Sequence, residues 1–176
     1  MTLLILSVIL LSCSNKPELV KEFIESENLP IEQIKGAEMM HTEQGILKLK
    51  IFATNIQRFK DNQPHLVFSD GLEVTFYDDS GLVKSVLTAV NAEIDETNKI
   101  MTAFDNVVLV SKEGNKLESD ELFWDENKNK IYTNKKVVIT TRKEVIEGLG
   151  FQSNPDFSEY SITSIQGTFN FDSLTK

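Results

Sequence analysis

The sequence predicts an all-β fold, an antiparallel sheet rolled on itself and assembled from repeated two-strand units. Three observations carry this reading. From Gly45 onward apolar residues alternate with polar ones, the period of a strand with one dry and one wet face. Short polar turns rich in Gly, Asn and Asp separate the runs. The segments also repeat at a spacing too short for a domain and long enough for a pair of strands.

The units follow one another along the chain. Gly-Ile-Leu-Lys-Leu-Lys-Ile-Phe-Ala-Thr-Asn-Ile (45–56) lines up with Gly-Leu-Val-Lys-Ser-Val-Leu-Thr-Ala-Val-Asn-Ala (81–92), and Gly, Lys, Ala and Asn coincide. A further shift places Leu87, Ala89, Asp95, Met101 and Val107 on Leu117, Ser119, Asp125, Ile131 and Val137. The last copy puts Leu117-Glu118-Ser119 on Ile146-Glu147-Gly148 and Ile131 on Tyr160. One unit cannot bury its apolar face alone, whereas stacked units can. Tyr77-Asp78-Asp79-Ser80-Gly81 reads as a hairpin turn whose final Gly takes a left-handed conformation. Asp95–Lys99 and Asp125–Lys130 read as equivalent polar turns.

Alternation assigns the faces. Leu47, Leu49, Ile51 and Ala53 share one side, as do Leu72, Val74 and Phe76, then Val107 and Leu109, then Val137 and Ile139. Lys48, Lys50, Glu73 and Thr75 fall on the wet side. Leu49, Ile51, Leu72, Val74, Phe76, Leu87, Val107, Leu109, Leu117, Ile131 and Ile139 are the candidates to line an apolar groove. Alternation alone fits a filled core equally well.

The segment before the sheet reads as targeting and tether. Leu3–Leu11 is an apolar run about half the length of a membrane-spanning helix. It fits the apolar region of a secretory signal peptide over 1–12, although no Lys or Arg precedes it. Leu10-Leu11-Ser12-Cys13 looks like a lipobox, whose cysteine receives a diacylglycerol and becomes the new N-terminus. Residues 13–36 are then the lipidated cysteine and a polar tether with at most a short helix, and 37–176 the β domain. The anchored protein would face an oxidising compartment, and Cys13 is the sole cysteine.

The net charge of −9 repels nucleic acid, and no Lys/Arg cluster offsets it. The residues supply no catalytic constellation, so the reading is not an enzyme, with no cofactor and no metal. His41 lies in the lead-in and His65 beside Pro64 in a turn, neither with a metal-ligand spacing. The acidic pairs Asp78-Asp79, Asp95-Glu96 and Asp125-Glu126 read as solvated turns and lack the spacing of a calcium loop. Trp124 reads as packing at a sheet edge, and Gly148 and Gly150 as marking a bulge or tight bend.

Several ordered stretches carry a family likeness. Gly114–Asp125, Lys130-Ile131-Tyr132-Thr133, Val145–Phe151 and the closing Asn154–Tyr160 through Gln166–Phe169 resemble LptC of the Bacteroidetes type. LptC is the periplasmic component of the lipopolysaccharide export machine. Phe68–Val74 fits too, with Ser69-Asp70 where this family often carries Pro-Lys. The resemblance spans roughly residues 36–170. It implies a twisted β-jellyroll open along one edge, holding lipid A acyl chains between its sheets. It also implies receipt of lipopolysaccharide from LptF and LptG at the N-terminal edge, driven by LptB, and delivery to an LptA-like jellyroll at the C-terminal edge. The better-known members use a transmembrane helix, whereas here the membrane link would be the lipid on Cys13. The implied location is periplasmic, at the inner membrane. The alternatives are a structural envelope lipoprotein that binds only proteins and, more remotely, a carbohydrate-active enzyme using the acidic pairs.

Overall fold

The computed structural model describes residues 29–60 and 63–170. The signal peptide, Cys13 and the first part of the tether, residues 14–28, lie outside the described residues. Ten strands follow in chain order: β1 (Glu32–Glu43), β2 (Ile46–Arg58), β3 (Leu66–Tyr77), β4 (Val83–Ala89), β5 (Asn91–Asp95), β6 (Ile100–Ser111), β7 (Lys116–Asp125), β8 (Lys130–Thr140), β9 (Glu144–Ser153) and β10 (Tyr160–Asn170). They form a single antiparallel sheet in the order β1-β2-β3-β4-β6-β7-β8-β9-β10. β5 continues the path of β4, pairing the same neighbours, β3 and β6. The all-β, jellyroll-like fold open along an edge is therefore the observed one, and β1 and β10 are its free edges among the described residues.

The sheet does not stay flat. Irregularities cut across it strand by strand: between Ala53 and Asn55, at Asp70-Gly71, at Val90, at Asp105-Asn106, between Ser119 and Phe123, and between Thr133 and Lys136. Bulges bend and twist a strand, and a bulge in each successive strand makes a crease. Val90 sits on this crease between β4 and β5, its N–H donating to the Asp105 carbonyl and its carbonyl accepting from the Gly71 N–H. Each flanking bulge is clasped from the side, Asp70 by the Asn55 amide and Asp105 by the Asn91 amide. The asparagines that coincide in the sequence repeat thus have a shared task, holding the left-handed Asp70 and Asp105 in place.

Folding along the crease sets two halves of the same strands face to face. Phe76 of β3 packs edge-on against Trp124 of β7, ring centroids 5.7 Å apart, although these strands are not neighbours in the sheet. The Ser85 hydroxyl of β4 donates to the carbonyl of Pro155, beyond the far end of β9. The core between the halves includes Phe68, Val74, Leu109, Leu117, Ile131, Val137 and Ile139, all fully buried. At one end Phe151 packs edge-on against Phe157 at 5.4 Å.

Two expectations change. β1 begins at Glu32, inside the segment read as tether. Glu32–Lys35 pair with Arg58–Asn55 and are all exposed, with Ile34 their one apolar residue, so an edge strand here leaves no alternation to read. Thr75, placed on the wet side, is buried. It stands in register between Lys50, whose long aliphatic stem can cover it, and Val86 on the outer face.

The polar turns are as expected, and the first Asp of each is their cap. Asp78 Oδ1 accepts from the Ser80 and Leu82 amides, Asp95 Oδ1 from the Thr97 and Asn98 amides, and Asp125 Oδ1 from the Lys128 amide. Gly81, Lys99 and Asn129 close the turns with positive φ. The Asn98 amide holds the Asp95 carboxyl below its usual range, the Ser80 hydroxyl does so for Asp78, and the Lys128 ammonium for Asp125. Their stabilisation is present above the unfolded carboxyl value of about 3.9 and is lost as pH falls through the lower folded value. Asp95→Ala is accordingly expected to melt earlier than the parent chain at pH 7, and the gap should close at about pH 2. Melting curves at both pH values check this, and a constant gap would show that charge plays no part.

Candidate functional site

The crease leaves one side of the fold unsealed. Between the β1–β2 hairpin and the opposing half-strands of β3, β5, β6 and β7 lies a cavity of about 350 Å³. Its apolar wall includes Met39, Leu49, Ile51, Leu66, Ile94 and Met101, with Trp124 at the back. Met39 and Ile51 are partners in register, so the edge strand and its neighbour present one continuous inner surface.

Every groove candidate from the sequence is buried, and they divide into two groups. Leu49 and Ile51 form cavity wall. Val74, Phe76, Leu87 and Ile131 surround a gap of only about 10 Å³, room for one water at most. Leu72, Val107, Leu109, Leu117 and Ile139 belong to the same close-packed cluster. Most of the apolar stripe is thus filled core; among the candidates, Leu49 and Ile51 border the apolar cavity, and Leu49 and Phe76 border a second, more polar one. Met39, Ile94 and Trp124 are wall residues that the sequence reading does not include. The signal for Met39 is present as the alternation Ala37, Met39, His41 in β1, a strand that reads as lead-in. Trp124 lies in a conspicuous aromatic run, yet its place opposite Phe76 depends on the crease.

A second, more polar cavity of about 420 Å³ adjoins the first and shares Leu49, Trp124 and Glu126 with it. Lys48 and Asp79 form an ion pair on its wall, which raises the lysine and lowers the carboxyl from their usual values. Lys84 lies 3.7 Å from Asp156. The lysines of this cavity are therefore committed to carboxylates.

The mouth of the apolar cavity is ringed by charge. His41 Nε2 of β1 lies 3.8 Å from Glu43 Oε1 and 3.7 Å from Glu126 Oε1, the latter at the start of the β7–β8 turn. Lys99 Nζ lies 3.2 Å from Glu126, and Arg58 reaches Glu96 at 3.3 Å. The arrangement offers an apolar slot with an ionic rim, suited to an amphiphile whose tail enters and whose head stays outside. At about 350 Å³ the slot is at the small end of ligand pockets, enough for one alkyl chain of ordinary length.

Comparison with known proteins gives one family. The model of the family described as LptC, "Lipopolysaccharide-assembly, LptC-related", matches residues 1–166. No curated protein matches the chain.

Proposed function

We propose, from the premise that this chain belongs to the LptC family and takes part in lipopolysaccharide transport, that it holds lipid A by an acyl chain and passes the lipid along the periplasm. The observation that carries the proposal is the apolar slot beneath Met39, Leu49 and Ile51, open at the side where the two halves of the sheet fail to close. Burying each CH₂ group is worth about 0.8 kcal/mol, so a chain of about twelve gains on the order of 10 kcal/mol before losses. Release at that strength needs a matching slot in the next protein or an energy source, as a transporter supplies.

The free edges support a place between partners. Among the described residues β1 and β10 each present an unpaired strand edge, which invites either aggregation or strand addition. In this reading LptF and LptG meet the N-terminal edge, an LptA-like jellyroll meets the C-terminal edge, and a lipid on Cys13 keeps the chain at the inner membrane. The filled interior beyond the slot also favours a second reading, a structural lipoprotein that binds only proteins.

One experiment separates them. The chain purified from membranes is expected to carry lipopolysaccharide that organic extraction releases and mass spectrometry identifies. A chain free of lipid that still binds its protein neighbours would support the second reading and overturn the first. Cys13→Ala is expected to shift the protein from the membrane fraction to the soluble fraction after alkaline washing; retention on the membrane would refute the lipid anchor.

A further inference from the structure

We propose that His41, Glu43 and Glu126 form a binding site for a divalent transition-metal ion of the zinc class at the mouth of the apolar slot. One oxygen or nitrogen from each residue lies within 4.8 Å of the others. His41 and Glu43 stand two apart near the end of β1, and Glu126 is brought in from the β7–β8 turn across the fold. A bulge in the register between His41 and Thr42 adjusts how this strand end meets β2. The site is therefore built by the tertiary fold and not by one flexible loop.

The imidazole supplies an independent reason to expect a ligand. The Nε2 atom of His41 is itself covered, although the side chain is 39% exposed, and it has no hydrogen-bond partner among the described residues. It faces the two carboxylates at 3.7 and 3.8 Å, beyond hydrogen-bond reach. Zinc bonds of about 2.0–2.2 Å set neighbouring tetrahedral ligand atoms about 3.4 Å apart, so small side-chain movements close the set around an ion. A nitrogen with two carboxylate oxygens favours zinc over calcium or magnesium, which prefer all-oxygen shells. Lys99, which touches Glu126, is half exposed and free to swing outward when an ion arrives.

Three protein ligands leave a coordination position open. The cluster lies where the apolar slot meets the polar cavity, with His41 and Glu126 on the first and Glu43 and Glu126 on the second. A bound divalent cation there would cancel the charge of the two carboxylates and offer an open coordination position at the point where the head of an amphiphile rests. A phosphate ester is the fitting fourth ligand. That role rests on the proposed function; the metal site itself does not.

The test uses the full chain in detergent, stripped with a chelator and titrated with Zn²⁺ alone. One-to-one binding is expected, with a shift of the His41 ring resonance in the parent chain. Glu43→Gln and Glu126→Gln should each weaken binding on the order of 100-fold, since even loss of groups behind the ligands costs about 10–100-fold. Glu96→Gln, a rim carboxylate outside the cluster, should bind as the parent does. No stoichiometric binding, an unmoved His41 resonance, or full affinity in both glutamine variants would overturn the site. Lipopolysaccharide retained by a chain that ignores zinc would reject the metal site alone, and zinc bound by a chain that carries no lipid would reject the lipid reading alone.

Discussion

Met39→Glu is expected to leave the domain folded but without bound lipid, whereas Leu109→Glu is expected to prevent folding. Both replace an inward-facing apolar residue by a carboxylate, and the surroundings decide the difference. Met39 is half-buried on the slot wall, close enough to the mouth for a carboxylate to reach water. A charge there repels an alkyl chain without breaking the core. Leu109 is fully buried in β6, with Leu87 and Leu117 beside it in register. An uncompensated buried charge costs about 3–5 kcal/mol. That is a large share of the roughly 5–15 kcal/mol that holds a domain together. Circular dichroism melts paired with lipid extraction distinguish the outcomes. If Met39→Glu keeps its lipid, the slot is not the binding site. If Leu109→Glu folds normally, the interior at that level is a wet groove and not a core.

Gly148→Val is expected to detach β10, and with it the C-terminal edge. A Cβ at Gly148 would come within 2.5 Å of Ile162 Cγ2 and 2.8 Å of the Ser164 carbonyl oxygen. The methyl group can rotate away; the backbone oxygen cannot move without breaking the β9–β10 ladder that pairs Gly148 with Ile165. Overpacking of this kind costs about 1–3 kcal/mol, and contact with backbone puts it at the upper end. Amide exchange over Tyr160–Asn170 should accelerate sharply while β6 and β7 stay protected. Capture of a jellyroll neighbour at this edge should fall in parallel. Unchanged exchange in β10 would show that the strand adapts by shifting as a unit.

Gly148 also shows how far the sequence reaches. Two glycines in a strand pattern read as a bulge or tight bend; Gly150 takes φ +72 opposite the irregularity between Thr133 and Lys136, whereas Gly148 instead admits the close approach of β10. The repeat, the turn aspartates and the inward residues are legible because each depends on spacing along one strand or one turn. The start of β1 is not, because an exposed edge strand has no dry face to impose a period. His41 belongs to no catalytic group in the sequence reading, yet His41-x-Glu43 is already a two-residue spacing on one strand. Its third neighbour, Glu126, lies far along the chain, and no local pattern joins them.

By itself, then, the sequence determined the strands and turns from Gly45 onward and, Thr75 apart, which side chains face inward. Period-two alternation and Asp, Asn and Gly turn chemistry are properties of neighbouring residues. Only the tertiary structure decided that the inward stripe is mostly filled, and that an open slot survives between β1–β2 and the opposing halves of β5, β6 and β7. The crease decides this. It bends the strands at successive bulges and closes the two halves wherever side chains are large enough to meet. At the β1 edge no further strand among the described residues continues the sheet to complete the closure.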